Sequence, residues 1–126
     1  MAPLNPKAYN FTHFLLPHEP YVYSKPVIRD LTEADLMNHG EGYVKQVRYV
    51  NTLIRTIVEQ LQKEPNTIII LQGDHGFRNY DAEADTHLQF ETLNAIYFPD
   101  KQYGLLYDSI SLVNTYRAVL SQYFDQ

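Results

Sequence analysis

The chain has 126 residues, a formal net charge of -5, 44% hydrophobic residues and no cysteine. That length suits one domain or part of one, with enough apolar content for a core. Lack of cysteine removes disulfides, thiolate ligands and cysteine nucleophiles, and an acidic balance without runs of one sign leaves no electrostatic footprint for nucleic acid.

No apolar run approaches the roughly 18 residues that a membrane-spanning helix needs. The opening, Met1-Ala2-Pro3-Leu4-Asn5-Pro6, lacks the apolar stretch of a signal peptide. Residues 1–8 read as an irregular lead-in. Tyr9 to Leu16 (YNFTHFLL) is rich in aromatic and branched residues and predicts a first strand, ended by Pro17. His18 follows between two prolines, which restrict the local backbone and give its side chain a set direction; the same residue also suits a solvated loop. Val22 to Gly42 shows no sustained period and reads as a surface excursion with one helical turn at Thr32 to Met37. Thr32 caps that turn and Asp35 takes the capping-box position. His39, beside Gly40, is expected to be exposed.

Tyr43 to Lys63 is the clearest helix. Tyr43, Val44, Val47, Val50, Leu53, Ile54, Ile57, Val58 and Leu61 recur at the spacing of one face, and Pro65 ends the pattern. Ile68, Ile69, Ile70 and Leu71 then form a wholly apolar run, expected to be a strand buried on both faces of a mostly parallel sheet. A helix delivered so directly into a buried strand reads as half of a βαβ crossover. The run stops at Gln72 and gives way to Gly73-Asp74-His75-Gly76. Ligands of open α/β sheets collect just past the carboxyl ends of strands. An aspartate and a histidine bracketed there by glycines can offer oxygen and imidazole to one ion. The same four residues also suit an ordinary turn with Asp74 as a helix cap.

Asn79 to Glu91 is polar and mixed, in the manner of a loop over a site. Its Asp81, Glu83 and Asp85 alternate without the glycine and closing glutamate of a calcium-binding EF-hand. His87 reads as a solvated histidine rather than a ligand. Thr92 to Phe98 predicts another strand, ended by Pro99. Asp108 to Phe124 predicts the last helix, with Asp108 or Ser109 as its cap. Three strands are few beside the mean of about five or six per sheet, so the chain reads as the back part of a larger α/β sandwich.

Three separated stretches together resemble the carboxyl-terminal part of the sulfatase-like branch of the alkaline phosphatase superfamily. FTHFLLPHEPY is similar to that family's strand and Pro-His-x-Pro turn. YVKQVRYVNTLIRTIVEQLQ followed by TIIILQGDHG is similar to its helix, strand and Asp-His-Gly motif. LNAIYFP with YDSISLVNTYRAVLSQYF resembles the closing strand and helix of membrane-tethered bacterial members.

The resemblance implies a partial three-layer α/β/α sandwich of alkaline-phosphatase type, residues 1–126 forming the carboxyl-terminal part of the catalytic domain. It implies a metal-dependent hydrolase or transferase acting on sulfate or phosphate esters. Asp74 and His75 are then the ligands of a divalent cation (manganese, zinc, magnesium or calcium). His18 is then the catalytic and substrate-contacting histidine, and Arg78 reaches an anionic substrate oxygen. The implied setting is extracytoplasmic, tethered to the membrane by helices upstream of this chain.

The departures from the family pattern carry equal weight. Its nucleophile and a further acidic metal ligand sit on an early strand-to-helix turn, and nothing before Tyr9 supplies either. With no cysteine, formylglycine cannot form in this chain. Gly73 stands where many relatives carry serine, and Phe77 where many carry glutamate. The chain alone is therefore expected to be inactive, with the missing amino-terminal part of its own domain as a partner. An uncovered sheet edge would also let two copies pair as a homodimer. The alternative is a non-catalytic α/β ligand- or partner-binding module descended from the same fold.

Overall fold

The computed structural model describes residues 8–18, 20–21, 39–78 and 86–124. These fall in two compact units, Met1–Asn51 and Thr52–Gln126.

In the first unit, residues 8–18 have no regular secondary structure. This corrects the strand expected over Tyr9 to Leu16. Tyr9, Phe11 and Leu15 are all about three-quarters exposed. Strand propensity registers how well side chains fit a pleated, half-buried surface, and these side chains have no such surface. The segment ends in a turn in which the His18 N–H donates to the Leu15 carbonyl at 3.0 Å; the Leu16–Pro17 bond within it is cis. Helix α1, His39–Leu61, starts earlier than the periodicity predicted and takes in Gly40 and Gly42. A Glu41–Lys45 ion pair supports its first turns. Gly42 leaves room for Tyr21, since an added Cβ would lie 2.9 Å from the Tyr21 ring. That ring meets Tyr43 edge-on at 6.1 Å. The turn expected at Thr32 to Met37 lies outside the described residues.

In the second unit, α1 unwinds after Leu61 through tight turns, and Asn66 takes a left-handed φ of 60° that redirects the chain. Asparagine tolerates that conformation better than most residues. Strand β1, Ile69–Gln72, then pairs with β2, Asn94–Tyr97. The pairing is antiparallel, with Ile69 opposite Tyr97 and Gln72 opposite Asn94. Among the described residues these two strands do not form the mostly parallel sheet expected from the apolar run. β1 is also half-buried throughout rather than buried on both faces. An apolar run registers the demand for cover but not the polarity of a neighbouring strand, which the connection sets. Among the described residues, that connection carries only a short 3-10 helix, Thr86–Phe90, where a mixed loop was expected.

Phe98, just past β2, is fully buried. It stacks on Tyr103 at 5.2 Å and meets Tyr123 edge-on at the same distance. Helix α2, Leu112–Tyr123, is capped by Ser111, whose hydroxyl accepts from the Asn114 N–H. The expected caps, Asp108 and Ser109, are instead taken up in a turn closed by Ile110 N–H donating to Tyr107 O at 2.9 Å.

Candidate metal and substrate sites

The two sequence-predicted corners lie in different units. In the first, His18 is exposed at the end of the Leu15–His18 turn. Its carbonyl accepts from Gln46 Nε2 at 2.7 Å. Gln46 is fully buried on α1, so this bond ties the backbone of the histidine to a rigid element. The periodic reading of the helix passed over Gln46. The signal was present: Tyr43, Tyr49 and Val50 lie three or four residues from Gln46, which places this polar side chain on a face with apolar ones.

In the second unit, Asp74 and His75 follow β1 directly. The Asp74 side chain is 86% exposed and that of His75 is 30% exposed. Asp74 Oδ1 accepts from the His75 N–H at 3.0 Å, folding the carboxylate back over the turn. His75 Nδ1 lies 2.7 Å from the Gly76 carbonyl. A carbonyl only accepts, so Nδ1 carries the proton in that bond, and the neutral ring keeps its lone pair on Nε2. Nε2 faces Asp74 Oδ1 at 3.8 Å.

This donor set fits a divalent cation. Two ligand atoms at about 2.1 Å from one ion can stand up to about 4 Å apart, and the tautomer fixed by Gly76 leaves the correct nitrogen available. Among the described residues, no cluster of three or more metal-binding side chains forms around the pair. Arg78 is exposed, two residues beyond Gly76.

The turn is held from outside by the segment that leads into β2. The Gly73 N–H donates to Leu93 O at 2.9 Å, and the Gly76 N–H to Gln89 O at 2.8 Å. Beside the turn, Gln72 Nε2 donates to Asn94 Oδ1 at 3.0 Å and to the Leu112 carbonyl at 3.4 Å. Asn94 Nδ2 in turn donates to Thr115 Oγ1 at 2.9 Å, and the buried Thr115 hydroxyl donates to Ser111 O at 3.2 Å. The sequence reading assigned no role to Gln72, Asn94 or Thr115. Only the strand register brings them together, and no residue spacing announces it.

An open hollow of about 680 Å³ in the same unit is lined by Thr92, Asn94, Tyr103, Tyr107 and Ser111 among others, and by neither Asp74 nor His75. The hollow and the acid-imidazole pair are separate features. Among the described residues no helix is long and apolar enough to cross a membrane. A protein-family model described as Sulfatase matches residues 2–115. No curated protein and no solved structure matches the chain.

Proposed function

The chain belongs to the sulfatase family, and from that premise we propose that it supplies metal-binding and substrate-contacting residues to a metal-dependent enzyme that hydrolyses or transfers sulfate or phosphate esters. The observation that carries this reading is the His75 ring. Its Nδ1 is tied to the Gly76 carbonyl and its Nε2 faces the Asp74 carboxylate at 3.8 Å. Asp74 and His75 hold a divalent cation, which when bound polarises an ester oxygen and lowers the pKa of a hydroxyl nucleophile. Among manganese, zinc, magnesium and calcium, an imidazole ligand disfavours magnesium and calcium.

The chain's own residues have distinct parts. Asp74 contributes negative charge and His75 a neutral nitrogen, so the pair compensates part of a dication's charge. His18 approaches the transferring group, neutralises charge on its oxygens or gives a proton to the departing one. Gln46 holds the His18 backbone during that contact. Arg78 offers its fork to an anionic oxygen. The nucleophile and the remaining metal ligands come from a further segment of the domain, which also completes the three-layer sandwich and its parallel strands. The whole enzyme works outside the cytoplasm, tethered by helices beyond this chain.

The test uses the full-length protein and a chromogenic aryl sulfate or phosphodiester. Asp74→Ala should lower turnover to background, as removal of a metal-binding carboxylate does. Turnover at the unsubstituted rate would remove the metal role.

A further inference from the structure

We infer that Asn94 is a positioning residue for the Asp74–His75 pair, acting through Gln72 and the brace formed by residues 89–94. This rests on the metal reading above. The four residues Gly73 to Gly76 are fastened to one neighbouring segment at both ends, through Leu93 O at 2.9 Å and Gln89 O at 2.8 Å. Whatever fixes that segment therefore fixes the turn. Asn94 is where the segment becomes β2, opposite Gln72 in the strand register. Its amide oxygen accepts from Gln72, the residue immediately before the turn. Its amide nitrogen donates to Thr115, which is fully buried on α2. One side chain thus joins the end of β1, the start of β2 and the first turns of α2.

A second feature marks the brace as close-fitting. Gly76 is buried, and a Cβ added there would collide with Leu88 O and come within 2.6 Å of Glu91 O. The brace lies directly on the residue whose carbonyl receives His75 Nδ1. Loosening the brace should therefore release that carbonyl, free the His75 tautomer and widen the spread of Nε2 to Oδ1 distances. Groups that orient metal ligands through a hydrogen bond typically affect metal affinity about 10- to 100-fold.

The 126-residue chain itself serves for the test, with manganese chloride as the probe. Binding is read by calorimetry, the His75 tautomer by nitrogen chemical shifts of the ¹⁵N-labelled ring, and integrity of the fold by circular dichroism. Asn94→Leu should weaken manganese binding about tenfold or more and shift His75 towards a mixture of tautomers. Asn94→Asp keeps an oxygen that accepts from Gln72, and the Thr115 hydroxyl can turn its proton from Ser111 O to the new carboxylate, so this variant should retain both properties. If Asn94→Leu does not fold, Gln72→Met removes the same bond from the other strand and should give the same two changes. A folded Asn94→Leu with unaltered affinity and tautomer overturns the positioning role. If the unsubstituted chain binds no manganese, the same titration of the full-length protein, which adds the remaining ligands, decides the metal reading instead. The tautomer then still decides about the brace: unchanged in the variants, it overturns the inference.

Discussion

A methyl group added at Gly76 would run into the backbone carbonyls of Leu88 and Glu91. Backbone atoms cannot swing aside as a side-chain tip can. Gly76→Ala should therefore destabilise the second unit by on the order of 1–3 kcal/mol, the usual cost of overpacking. Gly40 is the contrasting case, because nothing lies within 4 Å of an added Cβ and the residue sits inside α1. Gly40→Ala should stabilise by up to about 1 kcal/mol, through lower backbone entropy in the unfolded chain. Urea melts of the two variants should shift in opposite directions; a shift in the same direction would mean that one of the two glycines sits in different surroundings. At this scale residue type and local spacing singled out Asp74, His75 and His18 as candidates. Gly76 was legible as part of a motif, but the steric demand for it was not. Gln46, Gln72, Asn94 and Thr115 escaped notice because a polar side chain of this kind becomes informative only when the fold supplies its partner.

Between elements, the clearest link in the second unit joins the turn after β2 to the end of α2. Tyr123 donates to Asp100 Oδ1 at 2.7 Å, and Gln122 Nε2 donates to Gln102 O at 2.9 Å. Burial, followed by the hydrogen bond to Asp100, pushes the Tyr123 hydroxyl up to about 12. The hydrogen bond from Tyr123, followed by that from the Gln102 N–H, holds the Asp100 carboxyl below its ordinary value of 3.8. Asp100 thus contributes stability above its ordinary range, lost as pH falls through the lowered value. Tyr123 contributes stability below about pH 10, lost as pH rises towards 12, because the unfolded chain gives up the proton first. Tyr123→Phe should flatten both limbs of a plot of urea midpoint against pH. It should also remove a late-titrating tyrosine from the ultraviolet titration; identical profiles for the two proteins would exclude the link. Both helices and the two short strands were legible from their periodicity and apolar runs, but their ends were not. Helix α2 waits for Ser111 because the preceding residues close a turn of their own, and YNFTHFLL remained irregular because propensity does not provide a ladder.

For the whole molecule, family membership was legible because three stretches kept their order along the chain, while strand polarity was not, since an apolar run looks the same in either direction. The pattern of burial leads to the last prediction. Among the described residues, Phe98 and Val119 are the buried apolar side chains, whereas Phe90, Leu93, Val113 and Phe124 are each more than half exposed. Among its described residues the second unit also offers a two-stranded sheet in which each strand is paired on one side only. Exposed apolar surface on this scale, combined with unpaired strand edges, favours association. The isolated chain should therefore enhance the fluorescence of the apolar dye ANS under native conditions. Its weight-average mass in sedimentation equilibrium should rise above 14.7 kDa with concentration. Joining the chain to the segment proposed to complete its sandwich should suppress both effects, because the same surfaces would then be covered within one domain. A chain that stays monomeric and leaves the dye dark would mean that its apolar side chains find cover among themselves in solution, and the need for a completing segment would fall with it.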